Sequence, residues 1–186
     1  MKNTVVRFGL YAGGMLSVLM VLTMGIAKLM GSTPSGGIGM VIGYTTMVLS
    51  FIFVHFGIRS YRDTVMGGSV RFWPAFRVGL LISLIASICY SATWQVVYPV
   101  MLPDYAEKYA AAAVKQAEAN GASPAEVEKT RRQMAAFVIQ YRNPFYNFAV
   151  TLLEPSPIGL LVSLISAGVL SRRRREPLST LGSAVS

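Results

Sequence analysis

One acidic side chain stands inside an apolar stretch near the end of the chain. Glu154 lies in the segment TLLEPSPIGLL, about nine residues into the run, which corresponds to roughly 14 Å along a helix. If the run crosses a bilayer, an ionisable group at that depth costs roughly 2.5 to 3.5 kcal/mol and usually faces other helices or water. Desolvation disfavours the carboxylate, so the group would exchange protons near neutral pH. Glu154 therefore predicts either proton or cation transport or a hydrogen-bonded structural glutamate.

Polar residues in two other apolar runs are predicted to lie at a similar depth. These are Gln95 in the third run and Tyr44, with its neighbour Thr45, in the second. Depth alone makes them our candidates for hydrogen bonds to the Glu154 carboxyl.

Two prolines follow Glu154 within three residues. Pro155 and Pro157 have no N–H group, so the carbonyls of Thr151 and Leu153 lose their usual helical partners. Irregular backbone at membrane depth is tolerated where it is buried in protein or lines a cavity. The pattern predicts a helix kink beside the carboxyl.

The other residue types that perform chemistry are scarce. His55 is the only histidine and Cys89 the only cysteine, which leaves no Ser-His-Asp set, no HExxH motif and no metal-ligand cluster. His55 is predicted near the inner membrane boundary, as a packing residue or a proton relay. Cys89 is predicted to be a buried thiol. The chain is therefore predicted not to be an enzyme and to hold no cofactor or metal.

Composition then indicates the elements that carry these residues. Of the 186 residues 53% are hydrophobic and only 13% charged, and the mean hydropathy is +0.51. A helix needs about 20 apolar residues to cross a hydrocarbon core. Four runs satisfy this requirement: 8–28, 38–58, 75–101 and 145–171. The fold class predicted is all-α: a polytopic membrane protein with four transmembrane helices, forming one domain over 1–175.

Basic residues flank the runs in a pattern that orients them. Lys and Arg concentrate in cytoplasmic segments, and here they occur in three places on one predicted side, whereas loop 31–37 has no charge. This predicts a membrane protein with both termini cytoplasmic. The chain has a net charge of +9, but the same distribution of basic residues argues against binding to nucleic acid. The three basic places contain Lys2 and Arg7; Arg59, Arg62, Arg71 and Arg77 against Asp63; and Arg172 to Arg175.

The arginines of the second loop admit another interpretation. Arg59, Arg62, Arg71 and Arg77 would gather with Trp73 at the inner surface, where anionic lipid headgroups attract basic side chains. Ordinary topology signalling explains the same residues without any lipid site.

Small residues recur four apart in every run. Such spacing lets helices approach closely in lipid and predicts a tight four-helix bundle, with a dimer as a further option. The residues are Gly9 and Gly13; Gly39 and Gly43; Ser83, Ser87 and Ser91; and Gly159, Ser163 and Ala167.

The segment between the third and fourth runs differs in character. It is alanine-rich and polar, and it predicts an extracytoplasmic hairpin of two helices over 104–142. Asp104 is predicted to cap the first helix and Gly121 to end it. Ser123 and Glu126 have the spacing of a capping box before the second helix. The hairpin is predicted to pack on itself or the bundle, or to dock an external partner.

Two terminal segments complete the interpretation. The first run has an alternative role as a cleaved signal peptide, with a weak site at Gly25-Ile26-Ala27. Cleavage would leave three spans, and the basic segments would then no longer all be predicted on the same side of the membrane. Residues 176–186 are polar and small and predict a flexible cytoplasmic tail.

A set of short motifs covers most of the chain from Gly57 onward: Gly57-Ile58-Arg59-Ser60-Tyr61-Arg62-Asp63, Gly67-Gly68, Phe72-x-x-Ala75-Phe76-x-Val78-Gly79, Pro103-Asp104-Tyr105, Lys108-Tyr109, Asn143-Pro144, and Glu154 with Pro157-x-Gly159-Leu160. These motifs resemble a bacterial family described as domain of unknown function forty-one ninety-nine. The resemblance implies a four-span integral protein of the bacterial inner membrane and no assigned reaction. Pro155 beside Glu154 departs from the family pattern.

Two functions of different classes follow. The first is a non-enzymatic scaffold or accessory subunit, whose partners are the lipid bilayer and either further copies of the chain or another membrane protein. The alternative is a proton- or cation-coupled transporter or channel component that uses Glu154.

Overall fold

A computed structural model describes residues 1–29 and 37–171, with side chains omitted for 37–40. The predicted tail 176–186, the arginine run 172–175, most of loop 31–37 and the surroundings of Gly39 lie outside the described residues. The described part is all-helical and contains no strand, which confirms the predicted fold class. Its helices are α1 (Lys2–Leu29), α2 (Gly37–Thr64), α3 (Phe72–Met101), α4 (Tyr105–Ala119), α5 (Pro124–Tyr141), α6 (Pro144–Leu153) and α7 (Ser156–Leu170).

Four helical stretches of the described chain are long and apolar enough to cross a membrane. They confirm the four predicted spans, although the first and second extend about one to two turns beyond the predicted ends at their charged termini. The fourth is made of α6 and α7 together. The stretches are Lys2–Leu29, Val41–Thr64, Phe72–Met101 and Pro144–Leu170.

Helix α3 lies at the centre of the bundle and contacts α1, α2, α6 and α7. Its contact with α1 is very close: a Cβ atom on Gly13 would lie 2.6 Å from the Cβ atom of Cys89. On the other side, a Cβ atom on Gly159 would lie 2.8 Å from that of Ser83. Small residues therefore allow the close helix contacts predicted for these positions.

The prediction of a close helix contact at Gly43 is wrong within the described part of the chain. Nothing lies within 4 Å of the position its Cβ would take. Helix α2 instead approaches its neighbours at Gly57, which lies against Ile82 and Phe8. The spacing of small residues identified the right kind of contact, but it does not report which face of a helix meets its neighbour.

The apolar core contains large buried side chains from the spans, including Leu16, Phe51, Ile58 and Ile82. Many equally large apolar side chains are exposed on the outside of the bundle, such as Leu161, which is 57% exposed. This inversion is expected of helices that face lipid instead of water.

Helices α4 and α5 form an antiparallel hairpin. Tyr109 near the start of α4 contacts Phe137 near the end of α5, with ring centroids 5.6 Å apart. Glu118 at the far end of α4 pairs with Arg131, at 3.8 Å. Gly121 takes a φ of +76°, as predicted for the residue that ends α4.

The predicted capping box forms, whereas the predicted Asp104 cap does not. Ser123 and Glu126 make the complete capping box, and the Asn143 side chain accepts a hydrogen bond from the Phe145 N–H. Asp104 occupies the cap position of α4 but makes no side-chain cap bond. Its φ of −93° and ψ of 17° differ from the extended backbone that turns a cap side chain toward the first-turn N–H groups.

Candidate functional site

The fourth span is interrupted at the prolines singled out in the sequence. Helix α6 ends at Leu153 and α7 begins at Ser156. The Thr151 carbonyl, which Pro155 cannot serve, accepts a hydrogen bond from the Glu154 N–H at 3.3 Å. The Ser156 hydroxyl donates to the Leu152 carbonyl at 2.8 Å. The break thus satisfies the freed Thr151 carbonyl locally, and the Ser156 hydroxyl serves the neighbouring Leu152 carbonyl.

The Glu154 side chain lies at this break and accepts a hydrogen bond from the Tyr90 hydroxyl, at 3.2 Å. Protein atoms surround the carboxyl on the α3 side, but the side chain remains exposed toward the outside of the bundle. The adjacent Leu153 is 67% exposed and faces outward too. The carboxyl is therefore held at the edge of the bundle and not sealed in its core.

The two candidates nominated by depth lie elsewhere. Gln95 donates to the Asn147 side chain at 2.8 Å instead of to Glu154. Tyr44 is 48% exposed on α2, and α2 packs against α1, α3 and α7. Gln95 lies level with Asn147, seven residues before Glu154, so the prediction misplaced it along the helix, and rotation about the helix axis further decides which neighbour a side chain meets.

Sequence reasoning missed Asn147, which is only 2% exposed. It accepts from Gln95, and its amide group approaches the Tyr141 carbonyl at 3.5 Å. The signal was present: Asn147, Thr151 and Glu154 follow one another at spacings of four and three, which places them on one face of a helix.

That face of α6 meets a matching row on α3. Tyr90, Trp94 and Tyr98 recur every fourth residue and lie antiparallel to the α6 row, with Tyr90 level with Glu154. The Trp94 indole N–H donates to the Tyr141 hydroxyl at 2.8 Å. The half of the α3–α6 contact next to the hairpin is therefore a hydrogen-bonded layer that ends at the carboxyl.

An aromatic cluster closes this layer at the base of the hairpin. Its rings stack, meet edge to face or pack at an intermediate tilt, with centroids 5.0 to 6.3 Å apart. Such pairs contribute about 0.5 to 1.5 kcal/mol each beyond their buried area. The cluster fixes the hairpin to the spans, and its members are Trp94, Tyr98, Tyr105, Tyr109, Phe137 and Tyr141.

Two hydroxyls of this cluster are held in their neutral form. Burial raises the pKa of Tyr141 to about 12, against the opposing effect of hydrogen bonds with Trp94 and Thr151. Burial, reinforced by Tyr141 and then by Glu154, raises the pKa of Tyr105 well above its usual range. Both groups keep their protons at physiological pH and remain available as donors near Glu154.

Buried hydroxyls continue from the carboxyl toward the opposite end of the bundle. All the buried polar residues of the described part except Ser50 lie on α3, α6 and α7. Ser83 and Ser163 hydroxyls lie 3.3 Å apart, and Ser87 donates to the Ser83 carbonyl at 2.9 Å. We call this set the polar seam: Ser83, Ser87, Ser91, Asn147, Thr151, Ser163 and Ser166.

The polar seam reaches the lone histidine. Nδ1 of His55 lies 3.3 Å from the Ser166 hydroxyl, so the ring contacts a buried polar group as well as its aromatic neighbour Phe56. Ser91 is fully buried, and its hydroxyl has no hydrogen-bond partner among the described atoms. Cys89 is partly buried against Gly13.

The four arginines of the second loop all lie at the end of the bundle where α2 leads into α3. Arg59 and Arg62 both approach Asp63, at 3.7 and 2.7 Å. Arg71 and Arg77 line an open depression beside Trp73. No group of three His, Cys, Asp or Glu side chains comes together within 1–29 and 37–171 in a way that could hold a metal ion.

Comparison with known proteins places this architecture in a family. No curated protein and no solved structure matches the chain. The family model described as "Protein of unknown function (DUF4199)" matches residues 7–172, which include most of the first span, the other three spans and the hairpin. The chain therefore belongs to this DUF4199 family of proteins of unknown function.

Proposed function

We propose that the protein is a non-enzymatic accessory or scaffold subunit of the bacterial inner membrane, with both termini in the cytoplasm and the hairpin outside. The observation that carries the proposal is the exposed side of Glu154. Its carboxyl accepts a hydrogen bond from Tyr90, and the residue itself is exposed at the edge of the bundle beside the exposed Leu153.

Lipid is an unfavourable environment for the exposed Glu154 residue. A carboxyl near the bilayer centre costs roughly 2.5 to 3.5 kcal/mol on insertion scales, and such groups pair with protein or face water. A helix of another membrane protein, or of a second copy, that packs on this face would supply a donor and remove the penalty. The exposed apolar side chains Leu160 and Leu161 would continue the contact along α7.

Photo-crosslinking tests this proposal. A photoreactive residue at Leu161 lies on the Glu154 face, whereas one at Leu22, 53% exposed on α1, is the matched control because α1 does not pack against α6 or α7. We expect a protein adduct of defined mass from Leu161 in cells and only lipid adducts from Leu22. An adduct of twice 20.2 kDa identifies a second copy, and any other mass identifies a different subunit. Lipid adducts alone at both positions would refute the proposal.

The polar seam favours a second candidate, a proton- or cation-coupled transporter or channel component that uses Glu154. Hydroxyl and amide groups lie on both sides of the carboxyl, toward Tyr141 on one side and toward His55 on the other. Hydroxyl groups both donate and accept, so such a series can relay a proton when water completes it.

Reconstituted vesicles distinguish the two candidates. Transport predicts a proton or cation flux that Glu154→Gln abolishes and that Glu118→Gln, on the exposed hairpin, leaves unchanged. Absence of flux in the unmodified protein, or an equal flux in Glu154→Gln, excludes the transport function through this carboxyl. The crosslinking result is independent of this outcome.

A further inference from the structure

The four arginines at the α2–α3 end of the bundle form two different pairs. Arg59 and Arg62 share the carboxylate of Asp63, which neutralises part of their charge. No ion pair among the described residues involves Arg71 or Arg77. Both side chains are exposed. The sequence grouped these four residues together, whereas the structure leaves only the second pair available for an external anion.

Arg71 and Arg77 border one open depression of about 570 Å³, together with Phe72, Trp73 and Pro74. Trp73 is 66% exposed. Its ring is nevertheless held in place, because it meets Phe72 edge to face at 5.5 Å and Phe76 at 6.1 Å. Both phenylalanines are partly buried against the apolar core. The depression thus combines two guanidinium groups that have no ion-pair partner within 1–29 and 37–171 with a fixed and accessible indole.

An apolar strip leads away from this depression along α3. Leu80, Leu81 and Leu84 are 43%, 40% and 48% exposed, and they follow Arg77 at spacings of three, four and seven, on the same side of the helix. A ligand seated at the arginines would therefore have hydrocarbon contacts directly beside it, in the direction of the membrane interior.

We propose that Arg71, Arg77 and Trp73 form a binding site for the headgroup of an anionic phospholipid, whose acyl chains lie along Leu80, Leu81 and Leu84. Guanidinium groups bind phosphate oxygens through paired N–H donors. Tryptophan occupies the headgroup level of membranes. The apolar strip distinguishes a lipid from a soluble phosphate, because only a lipid would use it. This site goes beyond the subunit function proposed above and does not depend on it.

Tryptophan fluorescence in nanodiscs tests the site on the full chain. The chain has two tryptophans, and a Trp73→Phe variant gives the signal of the buried Trp94 for subtraction. Quenching is compared between brominated phosphatidylglycerol and brominated phosphatidylcholine. We expect a preference for phosphatidylglycerol. Each basic residue near a membrane surface contributes roughly fivefold to anionic-lipid attraction, so Arg77→Gln lowers the preference about fivefold and Arg71→Gln with Arg77→Gln about 25-fold.

The matched control is Arg59→Gln, which removes one exposed positive charge at the same end of the bundle and leaves Asp63 paired with Arg62. We expect no change in the preference. Native mass spectrometry of the unmodified protein provides a second measurement that needs no variant, and it should show retained phosphatidylglycerol.

Three results would overturn the proposal. An equal loss of lipid preference in Arg59→Gln and Arg77→Gln would mean that diffuse surface charge, and not a site, attracts the anionic lipid. Equal quenching by the two lipids, or no retained anionic lipid, would mean no site. Complete competition by soluble glycerol phosphate would assign the depression to a soluble phosphate compound and not to a lipid.

Discussion

The two sides of α3 are packed by different means. Toward α1 the contact is close and mainly apolar: Gly9 lies against Ile85 and Gly13 against Cys89, with a single hydroxyl pair between Thr93 and Ser17 at 2.8 Å. Toward α6 and α7 the contact is equally close at Gly159 but contains the polar seam and the Glu154 carboxyl. The first contact depends mainly on shape, whereas the second depends to a larger extent on paired polar groups.

This difference separates structural from chemical roles. A glycine contact depends on the close fit of two helices and contains no group that changes its charge, so the α1 side is suited to holding α3 in place. The α6–α7 side contains the group that can gain or lose a proton, at a point where the helix is already broken. Any function of the spans is therefore expected on the second side. The effects of substitutions on the two sides should accordingly differ in size and in kind.

The largest effect is expected at the α1 contact. Gly13→Val places a methyl-bearing carbon 2.6 Å from Cys89 and 3.3 Å from the Ala86 backbone. The helices must separate, and we expect a loss of about 3 kcal/mol in the free energy of unfolding, at the upper end for overpacking. Unfolding in SDS followed by circular dichroism measures the loss.

The neighbouring glycine is its control. Gly14 has nothing within 4 Å of its Cβ position, so Gly14→Val should leave stability within about 0.5 kcal/mol of the unmodified protein. Equal losses at the two positions would show that glycine itself, and not the contact with Cys89, determines the effect.

A smaller effect is expected in the polar layer. Asn147→Ala removes the partner of Gln95 and leaves its amide unpaired, and hydrogen bonds between membrane helices contribute about 0.6 to 1.7 kcal/mol. We therefore expect a loss of about 1 to 2 kcal/mol, with the unpaired group included. The same SDS unfolding measurement applies.

A double-mutant cycle sharpens this prediction. Once Asn147 is alanine, Gln95→Leu should cost less than it does alone, because the bond is already gone. Additive losses would mean that the contact at 2.8 Å contributes no coupling energy.

The hydrogen bond to the carboxyl is expected to contribute less again. Tyr90→Phe removes only the hydroxyl and should cost about 0.6 kcal/mol, the average for such bonds within membranes. In a Glu154→Leu background the same change should cost nothing. Infrared spectroscopy of the carboxyl stretch provides a second observable, and Tyr90→Phe should shift that band.

Tyr44→Phe is the control for this bond, since Tyr44 is the residue nominated by depth. It should alter neither the unfolding curve nor the carboxyl band. A band shift in Tyr44→Phe but not in Tyr90→Phe would favour the depth-based expectation over the observed contact.

The smallest effect is expected outside the spans. The Arg142 guanidinium, 2.9 Å from Glu107, lowers the pKa of that carboxyl below its usual range. A group whose pKa is lowered by folding stabilises the folded state above its unfolded pKa, and this stabilisation is lost as pH falls through the folded value. Amide exchange of the first turn of α4 should therefore accelerate below about pH 4.

Glu107→Gln tests this assignment. The variant should exchange at the faster rate already at neutral pH and show less change on acidification. An unchanged pH dependence would assign the effect to another carboxyl, such as Glu126, whose pKa is lowered by hydrogen bonds from Ser123.

The sequence by itself determined the number of spans, the break at Pro155, and the hairpin with its capping box. These features depend on apolar length, on the missing N–H group of proline and on cap chemistry, all of which are local. The failed Asp104 cap shows the limit of local rules, since the preceding turn at Leu102 set its backbone angles.

Only the tertiary structure decided which residues meet. It paired Glu154 with Tyr90 and Gln95 with Asn147. The close contact of α2 lies at Gly57 and not at the predicted Gly43. Arg71 and Arg77 are separate from the two arginines whose charge Asp63 partly neutralises. Sequence position gives the depth of a residue in a span, but the rotation of each helix about its axis is set by packing against all of its neighbours at once.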